Sequence, residues 1–248
     1  GPRLPADELT AMHDVPARLL ALLADAEIAI EARMPWSSNA TFFVHLVVDG
    51  AVEGRAIYKP LRGERPLWDF PAGLYRREVA AYRLSEAIGL HLVPPTIVRD
   101  GPLGEGSLQW YVDADHEQHY FSLHESRPDL HDRLRDFAVF DVVANNTDRK
   151  SGHVLVDSDD HLWGIDHGLC FATDFKLRTV VWEFAGEPLT PRHRAMLAPL
   201  AAGEVADDVA EMLSPDEVPA LIERAEHLLH FGRLPTDPTG RRYPWPLV

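Results

Sequence analysis

Hydrophobic and polar positions follow two rhythms along this chain, and the rhythm changes near its middle. Residues 26–33, 41–48 and 52–58 alternate or run apolar with β-branched and aromatic side chains, which predicts three strands. In the first of these Ile28, Ile30 and Ala32 share a face. Ser37-Ser38-Asn39 separates the first two strands, and Asp49-Gly50 separates the second from the third. Asp-Gly between two such runs is a strong hairpin signal, because both turn positions need positive φ. A helix is expected ahead of the strands, starting near Asp14, with Pro16 early in it and Leu19, Leu20, Leu22 and Leu23 as its apolar positions. Residues 61–71 read as a loop. Residues 74–88 then take up a helical period, with Leu74, Val79, Tyr82, Leu84 and Ile88 on the buried side and Gly89 placed to end it. Two further strands are expected at 96–99 and 107–112.

Asp113-Ala114-Asp115 breaks this pattern, and helical spacing dominates afterwards. Residues 128–144 carry Leu130, Leu134, Phe137, Phe140 and Val143 at helical intervals. A polar loop over 145–152 leads into a short hairpin, 154–156 with 162–165, whose turn holds Asp159-Asp160. Helices are expected at 192–201 and 217–231, before a proline-rich tail. A β-rich first half and a helical second half predict an α+β fold of two lobes, an N-lobe over 1–113 and a C-lobe over 114–248. Ligands favour the cleft of such an architecture.

Composition narrows the function. With 24 basic and 39 acidic residues the 248-residue chain carries a formal charge of −15. This argues against nucleic acid as a partner and against docking on anionic lipid, since both need a basic face. The single cysteine, Cys170, excludes a disulfide framework and a four-cysteine zinc site. No apolar run approaches the roughly 18 residues of a membrane span. A cytoplasmic protein without integral membrane association is the expectation. Only three of the basic residues are lysines, Lys59, Lys150 and Lys176.

The chemistry concentrates in Asn145-Asn146-Thr147-Asp148-Arg149-Lys150-Ser151-Gly152-His153 and, shortly beyond, Gly164-Ile165-Asp166-His167-Gly168. Asp148 and Asp166 each lie beside a strand of the short hairpin. Phosphoryl transfer asks for such a pair, one Asp to orient an acceptor hydroxyl and take its proton, the other to hold the metal that bridges ATP phosphates. Lys150, two positions after the first Asp, is placed to reach the transferred group. The remaining histidines lack the spacing of a zinc motif.

This block resembles the catalytic and metal loops of the protein-kinase-like superfamily, and most closely its phosphoinositide 3/4-kinase and HipA branch. The chain is similar, from about residue 28 to 229, to an actinobacterial family described as related to those kinases. The resemblance implies a protein-kinase-like fold and an ATP-dependent phosphotransferase using Mg²⁺ or Mn²⁺. It implies Asp148 as base, Asp166 as principal metal ligand and Lys59, in Ala56-Ile57-Tyr58-Lys59, as partner of the α- and β-phosphates. Glu78 would orient Lys59. Ser37, Ser38 and Asn39 would hold phosphate oxygens through backbone N–H groups. The stretch from Gln109 through Tyr111 and Val112 to Asp113 would flank the adenine.

Two positions depart from the pattern. His153 stands where the family places an Asn as second metal ligand, and imidazole suits softer ions than Mg²⁺. A manganese preference, a single-metal enzyme and a weakened nucleotide binder all stay open. His167 stands where Phe is usual. The acceptor, a protein or a small molecule, is not legible. An ATP-binding pseudokinase and a nucleotidyl transferase on the same fold are the alternatives.

Overall fold

A computed structural model describes residues 17–35 and 39–247. They divide into two compact units, one made of residues up to Tyr75 with Pro95–Tyr111, the other of Arg76–Pro94 with the chain from Val112 onward.

The first unit is an antiparallel sheet with one helix. The helix α1 covers 17–25, the described part of the helix expected from Asp14; its start lies outside the described residues. The strands are β1 (Glu27–Arg33), β2 (Phe42–Val48), β3 (Ala51–Pro60), β4 (Thr96–Gly101) and β5 (Gly104–Trp110), in the order β1-β2-β3-β5-β4. The Asp49-Gly50 turn forms as expected, with φ of 50° and 80°. Leu23, Ala26, Ile28, Val44, Leu46, Ala56, Tyr58 and Leu108 build the core of this unit. Arg99 fastens α1 to the sheet by donating to the carbonyls of Leu23 (3.1 Å) and Ala26 (2.8 Å), which the helix end leaves without partners. In β3 the inward positions are Ala56 and Tyr58, so Ile57 and Lys59 fall on the opposite face. Lys59 pairs with Ser107 of β5.

The strand expected at 107–112 is displaced. It begins at Gly104 and ends at Trp110, and the turn Pro102-Leu103 joins it to β4. Two glycines at its start hid it from any propensity argument. Gly106 is required for packing, because a Cβ there would stand 2.3 Å from the Lys59 carbonyl oxygen.

The second unit is mainly helical. It holds nearly all of α2 (Leu74–Ala87), then α3 (Tyr120–Ser126), α4 (His131–Val143), the hairpin β6 (Val154–Val156) with β7 (Leu162–Gly164), α5 (Pro191–Ala201), α6 (Asp207–Ala210) and α7 (Glu217–Phe231). The sequence grouped α2 with the sheet; from Arg76 onward the helix makes buried polar contacts within the second unit. Arg77 donates to the Cys170 carbonyl at 2.9 Å and pairs with Glu217 of α7, both side chains buried. Ser85 accepts the Leu92 N–H at 2.8 Å. The helix expected over 128–144 opens with a 3₁₀ turn at Pro128–Leu130 before α4, and α3 precedes it where no helix was expected. Both α4 and α5 pack against α7. Thr190 caps α5 by accepting the His193 N–H, with Pro191 at the first helical position. Gly232, at φ 65°, ends α7.

Candidate active site

The loop after α4 is held open by its own side chains. Asn145 takes a left-handed conformation (φ 50°) and stops the helix. Its amide donates to the carbonyls of Ala172 (2.8 Å) and Asp174 (2.7 Å) and accepts the Lys176 N–H (2.9 Å). Asn146 donates to Asp141 in α4 (3.0 Å) and accepts the Asp148 N–H (3.0 Å), so it braces the loop. Thr147 ties the loop to the Leu169 carbonyl through its N–H (3.1 Å) and its hydroxyl (2.8 Å).

Asp148 follows with its side chain about a quarter exposed and an oxygen 3.5 Å from the Lys150 ammonium. Burial pushes its carboxyl up to about 6; Lys150 opposes that rise and Asp166 adds to it. An acid tuned this way is ionised at neutral pH yet basic enough to take a proton in a transition state. Asp148 and Lys150 are thus close neighbours.

So are His153 and Asp166. The His153 Nε2 lies 3.4 Å from Asp166 Oδ2, with the Asp side chain half exposed. His153 Nδ1 faces the Lys150 N–H at 3.4 Å, which favours the proton on Nε2 toward the carboxylate. Holding a metal through Nε2 would need the other tautomer and would give up that long contact. Among the described residues no group of three or more His, Cys, Asp or Glu side chains gathers as a metal site. Asp166 and His153 thus place two potential donor atoms side by side. Asp166 itself has φ 62°, an uncommon conformation for a residue with a Cβ.

Beneath these residues lies a buried polar core that the sequence did not reveal. Arg149 and Asp141 are both fully buried and joined by three contacts of 3.0–3.2 Å. Asp141 also accepts from the Thr179 hydroxyl at 3.0 Å. Arg149 reaches the carbonyls of His153 (3.3 Å) and Ile165 (3.2 Å) and the Nε2 of His167 (2.7 Å). The His167 N–H is donated to Glu78 at 2.9 Å. One signal was available: Asp141 sits alone among apolar neighbours in Phe137–Ala144, and a charge there demands a buried partner.

Of the remaining predicted residues, Asn39, Lys59, Gln109 and Tyr111 belong to the first unit, and Glu78, Val112 and Asp113 to the second. Ser37 and Ser38 lie outside the described residues. Asn39 accepts the Arg65 N–H at 2.8 Å through its side chain. Gln109 is committed to the sheet: it pairs with Ile57 and Thr96 on either side and donates to the Thr96 hydroxyl at 2.8 Å. Tyr111 stacks edge-on against Phe43 with Arg55 over its ring.

No family model matches the chain. It is 38% identical over 262 residues to protein Rv2133c of Mycobacterium tuberculosis, an alignment covering 91% of this chain and 94% of the other. The chain belongs to the Rv2133c family. Solved structures extend the comparison to the fold. The Golgi casein kinase with Mn/ADP bound matches with a TM-score of 0.58 at 17% identity, covering 95% of this chain and 81% of that one. The hydra Fam20 with sugar matches with a TM-score of 0.58 at 13% identity, covering 87% of each chain. At such identities the likeness is one of fold: this member of the Rv2133c family is an α+β protein of protein-kinase-like fold.

Proposed function

We propose that the chain is an ATP-dependent phosphotransferase that moves the γ-phosphoryl group to a hydroxyl of a protein or small molecule. The observation that carries this reading is the pairing of a half-buried acid raised to about 6, Asp148, with the Asp166–His153 pair on the next loop of a protein-kinase-like fold. Asp148 orients the acceptor hydroxyl and takes its proton as the new O–P bond forms. Lys150, whose charge stands beside Asp148, steadies the transferred group. Asp166 and His153 would hold Mg²⁺ or Mn²⁺, which supplies charge neutralisation on the phosphates. Lys59, presented by β3, is assigned to the α- and β-phosphates, with Glu78 proposed as the residue that orients it. Backbone N–H groups of Ser37, Ser38 and Asn39 hold phosphate oxygens. Tyr111 and Val112 flank the adenine; Gln109 is left out, being committed to Thr96. The order of the motifs supports a likeness to the phosphoinositide 3/4-kinase and HipA branch. The charge of −15 disfavours a lipid acceptor.

The test is incubation of the purified protein with γ-labelled or α-labelled ATP, with Mg²⁺ or Mn²⁺, beside Asp148→Ala. Label transferred from the γ position, and lost in the variant, is the expected result. Transfer from the α position would replace this reading with nucleotidyl transfer. Nucleotide binding without turnover would make the chain a pseudokinase, and no binding with either metal would overturn the reading altogether.

A further inference from the structure

We propose that Arg149 and His167 form a positioning pair that sets the spacing of Asp148 and Asp166. The inference deepens the phosphotransferase reading and rests on it only for its catalytic arm. Arg149 has five N–H groups and all have acceptors. Nε faces both oxygens of Asp141 (3.1 and 3.2 Å). Nη1 meets the carbonyls of His153 and Ile165. Nη2 meets Asp141 at 3.0 Å and His167 Nε2 at 2.7 Å. The Ile165 carbonyl immediately precedes Asp166, and His167 immediately follows it. One guanidinium therefore grips the metal-loop Asp from both sides, while its own backbone adjoins Asp148.

That backbone is also fixed. The Arg149 N–H goes to the Arg178 carbonyl and the Val180 N–H to the Arg149 carbonyl, each at 3.1 Å. His167 is the joint of the arrangement. Facing a guanidinium that only donates, its Nε2 must accept, and its backbone N–H is held by Glu78. Asp166 lies between these clamps at φ 62°. A left-handed residue with a Cβ persists where its surroundings over-determine it. A lysine at 149 has neither the fork nor the number of donors to replace these contacts.

Losing Arg149 outright strands a buried Asp141, so that variant tests folding rather than positioning. The decisive variants are at His167. In His167→Gln, the side-chain carbonyl oxygen stands in for Nε2; in His167→Phe, a ring of similar shape lacks any acceptor. We expect kcat for γ-phosphoryl transfer, per folded molecule, to fall 10–100-fold in the Phe variant. Nucleotide affinity measured in chelator should stay within about threefold, and the Gln variant should recover most of kcat. Amide hydrogen exchange, which needs no turnover, should quicken together over 145–153 and 164–169 in the Phe variant and leave α5 and α7 unchanged. Equal behaviour of Phe and Gln, a kcat within twofold of wild type, or faster exchange at 164–169 alone would overturn the pair. A wild-type protein that never transfers phosphate would end the phosphotransferase reading, and the exchange measurement would then decide the positioning on its own.

Discussion

Asp148 sits in an environment that makes a thermodynamic demand on folding. Its carboxyl ordinarily titrates near 3.8 and is pushed up to about 6 in the fold. Between those values the folded protein holds a proton that the unfolded chain has released. Stability is therefore lost as pH rises from about 4 to 6, and the loss is complete above 6. Asp148→Asn should raise stability at pH 8 by about 1–2 kcal/mol in chelator, allowing for solvent screening at a side chain a quarter exposed, and change nothing at pH 3.5. Urea melts at the two pH values check this, and an equal effect at both would remove desolvation as the cause. His153 makes a different demand. If its imidazole is a ligand, His153→Asn should lower affinity for Mn²⁺ relative to Mg²⁺ several-fold, read by paramagnetic resonance and calorimetry with a non-hydrolysable ATP analogue. An unchanged ratio would leave His153 as a hydrogen-bond partner of Asp166. The site was half legible at this scale. Asp148, Lys150, His153 and Asp166 lie on two short polar loops, so their chemistry and spacing show along the chain. Arg149 does not, because an arginine beside an acid in a polar loop reads as solvated. Only the fold reveals that its partner is Asp141, back in the apolar stretch that ends α4.

Elements were legible where local physics decides them. Asp49-Gly50 turns the β2–β3 hairpin through its own φ preference, and the β6–β7 pair follows from its apolar runs and acidic turn. The β5 start was hidden because Gly104 and Gly106 carry no strand signal; what places Gly106 is the β3 backbone pressed against it. Gly106→Ala should therefore destabilise the protein by about 2–3 kcal/mol, since the added Cβ meets the Lys59 carbonyl at 2.3 Å and Pro60 Cα at 2.6 Å. Gly152→Ala is the control: a Cβ there meets nothing within 4 Å, and its effect should stay within about 0.5 kcal/mol. Denaturant midpoints decide it. Equal effects would mean that β3 and β5 are free to move apart at Lys59. The grouping of α2 was hidden for another reason. Its residues are buried almost all round, so hydrophobic periodicity could not say which neighbours it serves. Arg77, bound to Glu217 and the Cys170 carbonyl, ties it to the second unit.

For the whole molecule the governing quantity is charge. A net −15 spread over 248 residues repels anions at long range, yet the proposed reaction takes a polyanionic nucleotide. The two conditions are compatible only if the attraction is local, through Lys59, Lys150 and the divalent ion that travels with ATP. The same field separates the candidate acceptors. An inositol lipid presents its hydroxyls on a negative surface, and no helix among the described residues is long and apolar enough to cross a membrane and hold the chain there. Sedimentation with vesicles containing about a third anionic lipid should leave the protein in the supernatant at about 50 mM salt, where electrostatic effects reach further than at physiological salt. Binding that weakens as salt is raised would expose a basic face that the net charge conceals, and would return the lipid headgroup to the list of acceptors. Binding that ignores salt would point to an apolar contact instead. Recovery of all the protein in the supernatant leaves soluble hydroxyl acceptors, protein or small molecule, as the class in which to search.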